Sequence, residues 1–206
     1  MMERLHLGTM NKRLLAVPFA VAAALAVCVA PAATAATAAS AATDPGAARA
    51  GFSAQARSLG LDTSQAKNLQ SRVDGYLAKT PGASQVAVNK ITLNGGGELL
   101  LTLPGEERAR DLAAAGSSPA LSAGCPYTYV CAYSGEDFTG DELRLFTCNY
   151  PVNISWAGTG SWINNQRSTL YARFYDRNHN VGWTSPGGYS EDRHAPWGWV
   201  YWLSPC

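Results

Sequence analysis

The sequence predicts an all-β, disulfide-tied C-terminal domain, preceded by a signal peptide and a small α+β segment of one helix plus a hairpin. Three observations carry this. Four of the five cysteines, Cys125, Cys131, Cys148 and Cys206, lie from residue 125 onward. All six tryptophans lie there too, among short aromatic and β-branched runs divided by Gly, Asn, Asp and Pro clusters. The N-terminus, in contrast, has the order of a secretory signal: positive charge, an apolar run, then small residues.

The signal comes first. Arg4, Lys12 and Arg13 supply the charge, and residues 14–30 the apolar run. That run is short and interrupted by Pro18, so no membrane span is expected. Ala33-Thr34-Ala35 and Ala36-Thr37-Ala38 offer cleavage sites, and Met10 reads as a second possible start. Residues 1–42 are therefore assigned to signal and leader, with residues 32–50 expected to be a flexible Ala/Thr-rich stretch.

Residues 43–110 form the expected helix-plus-hairpin unit. Residues 61–80 have Ala66, Leu69, Val73, Tyr76 and Leu77 at helical spacing. Asp62 or Thr63 can cap this helix, with Gln65 near the reciprocal position, and Pro81-Gly82 ends it. Residues 84–93 and 98–103 read as two strands joined by Asn94-Gly95-Gly96-Gly97. Residues 106–115 suggest one further short helix. Residues 111–124, with Gly116-Ser117-Ser118-Pro119, read as a linker. The unit has no cysteine, and its role is open between a removable pro-segment and a permanent accessory.

From Cys125 to Cys206 the expected strands are 129–133, 142–146, 168–175, 181–184 and 197–202. In the last run Trp197, Trp199 and Tyr201 alternate with Gly198, Val200 and Trp202. An even number of cysteines in an exported chain predicts two disulfides. Four cysteines allow three pairings, which the sequence does not separate. Cys125–Cys131 with Cys148–Cys206 is favoured because it fastens the C-terminus to the body.

The net charge is +1. No Lys occurs after residue 124, and Arg is interspersed with Asp and Glu, so nucleic acid is not an expected partner. No nucleophile elbow, zinc-protease motif or phosphate loop occurs, and no enzyme is expected. His179 and His194 read as exposed loop residues. Glu136, Asp137, Asp141 and Glu142 read as a solvated turn.

The start of the C-terminal domain carries a more specific pattern. Cys125-Pro126, then Cys131 and Tyr133, are followed by Phe138-Thr139-Gly140. This resembles the small secreted actinobacterial metallopeptidase inhibitors with a βγ-crystallin-like Greek-key fold. Tyr133, Phe138 and Gly140 match the folded-hairpin signature, in which two aromatic rings pack and Gly permits the turn. Tyr175 and Gly182 would be the second copy, with Asn180 where the aromatic belongs. The resemblance implies a calcium site at Asn164, Asn165 and Ser168, whose oxygens suit that ion. The alternative is that Asn164 and Ser168 hydrogen-bond a corner shut.

The resemblance also implies function: a secreted, monomeric inhibitor whose partner is a protease, probed through a rigid loop in the protease cleft. Residues 149–161 and 184–196 are the loops considered, with no reactive bond assigned. No cofactor other than the calcium is implied. The competing readings are a glycan-binding module, using Trp183, Trp197, Trp199, Trp202, Tyr189 and Tyr201, and a secreted antimicrobial protein on the same fold.

Overall fold

A computed structural model describes residues 45–112 and 124–206, which belong to one compact unit. The expected signal, and the stretch 113–123, lie outside the described residues.

Two helices come first. Helix α1, Pro45–Ser58, occupies part of the stretch expected to be leader. Proline at the first helical position and the alanines favour it, and Phe52 and Ala56 give it an apolar face. It ends in a Schellman motif: Leu61 N–H donates to Ala56 O (3.1 Å), Gly60 N–H donates to Arg57 O (3.0 Å), and Gly60 has φ +78°. Helix α2, Thr63–Lys79, carries the capping box: Asp62 accepts from Ser64 and Gln65 N–H, and Gln65 accepts from Asp62 N–H. Its Leu69 and Val73 are fully buried.

The region expected to be one hairpin is a three-stranded meander of β1 (Ser84–Ala87), β2 (Lys90–Leu93) and β3 (Gly97–Leu100). The run 84–93 folds back at Val88-Asn89, because buried Asn89 donates to Leu101 O and Arg110 O (2.9 Å each) and fixes a turn there. No helix forms among the described residues of 106–112. Their backbone instead runs beside Gly140, whose N–H donates to Glu107 O (2.7 Å).

The C-terminal strands are β4 (Val130–Tyr133), β5 (Glu142–Leu145), β6 (Val152–Asn153), β7 (Thr159–Asn164), β8 (Arg173–Tyr175), β9 (Val181–Thr184), β10 (Ser190–Pro196) and β11 (Trp202–Ser204). Seven strands make one antiparallel sheet in the order β1-β2-β3-β5-β4-β7-β10. The meander is part of it, since β3 pairs with β5 and Leu99 lies opposite Leu143. The second antiparallel sheet has the order β6-β11-β8-β9. The described residues are thus mostly β, with two α-helices.

Alternation places Val130, Ala132, Leu143, Leu145 and Trp162 on the core face of the large sheet. They share one apolar cluster with α2 and with Val152, Phe174 and Leu203 of the second sheet. Trp162 meets Phe174 edge to face at 5.5 Å. The opposite face carries Cys131, Tyr133, Glu142 and Arg144, and the last two are a buried ion pair at 2.8 Å. The acidic stretch is therefore not uniformly solvated. Glu136 and Asp137 are exposed, whereas Asp141 and Glu142 are buried.

The expected strand 197–202 is instead a tight 3-10 turn at Trp197–Trp199 followed by β11. Val200 N–H donates to Trp197 O (3.1 Å). A period of three puts Trp197 and Val200 inside and Gly198 and Trp199 outside. Trp197 is the anchor: its indole N–H donates to Tyr133 O (2.8 Å), and its ring occupies the space a side chain at position 160 would need.

Candidate functional site

The structure pairs Cys125 with Cys131 and Cys148 with Cys206. The second bond ties the chain end to the loop after β5. The first holds residues 125–131 against β7, where Asn165 Nδ2 donates to Cys125 O (2.8 Å).

Tyr133 and Phe138 meet edge to face at 5.5 Å. Gly140 has φ +80°, and Asp137 and Phe138 are also left-handed. The hairpin is closed by Ser161, whose hydroxyl accepts from Phe138 N–H (2.8 Å) and donates to Gly135 O (2.7 Å). Ser161 lies far along the chain, so the motif itself does not point to it. The Tyr175–Gly182 hairpin closes differently. Asp176 accepts from the N–H groups of Asn178 (2.8 Å) and Asn180 (2.9 Å) and from Asn180 Nδ2 (3.0 Å). These bonds hold the Asp176 carboxyl below its ordinary 3.8, the side chain of Asn180 contributing most. A carboxylate thus does here what an aromatic pair does in the first hairpin.

Asn164 is fully buried at the end of β7. Its Nδ2 donates to Leu170 O (3.0 Å), Ser185 Oγ (3.2 Å) and Pro186 O (3.3 Å), and its Oδ1 accepts from Gln166 N–H (3.2 Å). Asn165 is bound to Cys125 O, and Ser168 is exposed. These side chains do not fit a calcium site: the amide oxygen of Asn164 faces a backbone donor. Among the described residues no group of three His, Cys, Asp or Glu side chains could hold a metal. What Asn164 does is bind two loops, 165–172 and 185–189, into one rigid end of the domain.

The second loop has further anchors. Ser185 is buried, its N–H donates to Ala172 O (2.8 Å), and its hydroxyl accepts from Ala172 N–H (2.9 Å). Ser190 Oγ donates to Pro186 O (3.1 Å). Gly187 and Gly188 lie against the carbonyls of Ser168 and Gln166, where a Cβ would collide. At the tip Tyr189 is 61% exposed. Of the wider stretch 184–196, residues 190–196 are strand β10 and not loop. The other stretch, 149–161, contains β6 and the start of β7, with 154–158 between them outside any strand. Trp156 Nε1 donates to Tyr76 OH of α2 (2.7 Å), which draws this segment toward the core. His179 stacks on Trp202 at 4.2 Å and His194 is exposed.

Residues 118–185 match the family model of peptidase inhibitor family I36. That stretch, about a third of the chain, is therefore similar to a peptidase inhibitor family. The match starts ahead of Cys125 and ends at Ser185, the anchor of the ordered loop. No curated protein and no solved structure matches the chain. Two disulfides fit an oxidising, extracellular setting. Among the described residues no helix is long and apolar enough to cross a membrane.

Proposed function

We propose that this protein is a secreted inhibitor of metallopeptidases that presents the turn 185–190, with Tyr189 at its tip, to the protease cleft. The carrying observation is the preordering of that turn by Asn164, Ser185 and Ser190. A loop already fixed in its bound shape loses little entropy on docking, so more of the contact energy appears as affinity. The same bonds hold the loop ends together after any cleavage, which favours a stable complex over product release. The folded hairpin of Tyr133, Phe138 and Gly140 supports a βγ-crystallin-like Greek-key origin for the scaffold. The shared sheet supports residues 45–112 staying part of the working inhibitor. The N-terminal charge and apolar run support secretion.

The test is titration of a thermolysin-type metallopeptidase with the purified chain. Stoichiometric loss of peptidase activity is expected. Tyr189→Ala should weaken inhibition about tenfold or more, the loss of one well-packed aromatic anchor, with an unchanged melting temperature. Absence of inhibition toward metallo- and serine peptidases alike would overturn the reading. Inhibition indifferent to Tyr189→Ala and to Pro186→Ala would move the contact surface elsewhere.

A further inference from the structure

The two sheets part at one edge, between β9 and β10, and leave a cleft of about 420 Å³. Volumes of about 300–1,000 Å³ are usual for small-molecule sites. Trp183 and Trp199 line it together with the buried Phe174, Ala195 and Val200. Trp183 is 41% exposed and Trp199 38% exposed, high values for side chains of this size.

Both rings are fixed. Trp183 packs on Trp162 (5.4 Å) and Phe174 (5.1 Å), continuing an aromatic array from the core to the opening. Trp199 lies close against Gly182, where a Cβ would strike its ring. Two neighbouring aromatics are already engaged. Trp202 stacks on His179, and Tyr201 lies under the Arg177 guanidinium at 4.9 Å. The lining includes one acid, the half-buried Asp192, whose Oδ1 accepts from His194 N–H (2.9 Å).

We propose that this cleft binds a sugar ring of a neutral oligosaccharide. The apolar C–H face of a pyranose lies on a flat indole, and its hydroxyls seek both donors and acceptors. Here two half-exposed indoles supply faces and N–H donors, and Asp192 supplies an acceptor. The volume suits a ring or two and is too large for a trimethylammonium group, the other usual guest of aromatic walls with an acid. The site lies on the edge strands β9 and β10, so an extended chain can pass through it. The proposal stands independently of the peptidase reading, and gives the inhibitor a means of staying on a polysaccharide-coated surface.

The experiment titrates the whole chain with chitotetraose, cellotetraose, xylotetraose and maltotetraose, following tryptophan fluorescence and backbone amide shifts. At least one should saturate with shifts centred on Gly182, Trp183 and Trp199. Trp199→Ala, at an exposed position, should weaken it about tenfold, the worth of one good ring contact. Asp192→Asn keeps the acceptor toward His194 and should weaken it severalfold. Trp199→Ala should still inhibit peptidase, so the two proposals fail separately. The proposal is overturned if no saccharide binds, if binding survives both substitutions, or if tetramethylammonium saturates the cleft and displaces the saccharide.

Discussion

Strands β1–β3 and strands β4, β5, β7 and β10 lie in one sheet, yet the two ends are closed differently. At the first end a helix is the cover and charge is the fastening. Asp141 accepts from the Arg72 guanidinium, from Thr102 N–H (2.9 Å) and Oγ1 (3.0 Å), and from Tyr76 OH (3.0 Å). Lys90, nearly buried, contacts Glu98 and Asp111 at 2.9 Å each. Burial works against its charge, but these two carboxylates outweigh that and raise its pKa. At the far end a second sheet is the cover, aromatic rings fill the space, and disulfides fasten the chain. The difference teaches that a cysteine-free segment can be integral to a disulfide-tied domain. Its polar hub is worth much only while both sides are present, because a buried carboxylate without its donors is costly.

The largest expected effect comes from separating the ends. The isolated piece 125–206 loses β3 from the edge of β5, uncovers Leu143 and Leu145, and strips Asp141 of four donor groups, on Arg72, Tyr76 and Thr102. It should lack a cooperative thermal transition by circular dichroism. A stable, sharply melting fragment would break the comparison and make residues 45–112 an accessory.

Removing the Cys148–Cys206 bond by paired alanines comes next. It closes a loop with 58 residues of separation, and should cost about 4 kcal/mol in urea unfolding by the loop-entropy argument. The Cys125–Cys131 bond, with a separation of 6, should cost about 2 kcal/mol. Equal costs would contradict that ranking.

Asp141→Ala tests the other fastening. It leaves Arg72 and Tyr76 without their common acceptor and should cost about 3 kcal/mol. Arg72→Met with Asp141→Leu should recover part of this, as apolar replacement of a whole pair does. A double variant worse than the single would show that the charges are needed for more than each other.

The smallest effect is the acid limb of stability. Bonds from Gln65 and Ser64 hold the Asp62 carboxyl below 3.8, and Asp176 is lowered in the same way. A folded value below the unfolded one means the stabilisation is present above about pH 4 and disappears as pH falls through the folded value. Asp62→Asn should therefore lower the melting temperature slightly at pH 7 and flatten its decline below pH 4. An unchanged acid limb would show that buried carboxylates alone govern it.

Much of the C-terminal fold was legible because its signals are local. The strands at 130–133 and 181–184 follow β-branched and aromatic runs, that at 142–145 follows the alternation of Leu143 and Leu145 with charged residues, and α2 follows an apolar period with its cap. The run 197–202 misled because strict alternation is equally compatible with a turn in which Trp197 is drawn inward by Tyr133 O. α1 was hidden by an Ala-rich composition shared with leaders, although Pro45 and Gly60 bracket it. Of the candidate site, the stretch containing Tyr189 could be found from the sequence, but not the anchor that orders it. Asn164 was marked for its oxygen, and its amide nitrogen turned out to matter.

What the sequence by itself determined is what depends on neighbours along the chain: the capped helix, the Tyr133–Phe138–Gly140 hairpin, the all-β texture after Cys125 and the absence of catalytic motifs. Only the tertiary structure decided that β3 completes the C-terminal sheet, that Asp141 is a buried hub, that Asn164 ties two loops, and that two of the four tryptophans lining one cleft are exposed. Each depends on groups brought together from distant positions, and the free energy of such contacts has no trace in the spacing of either partner alone.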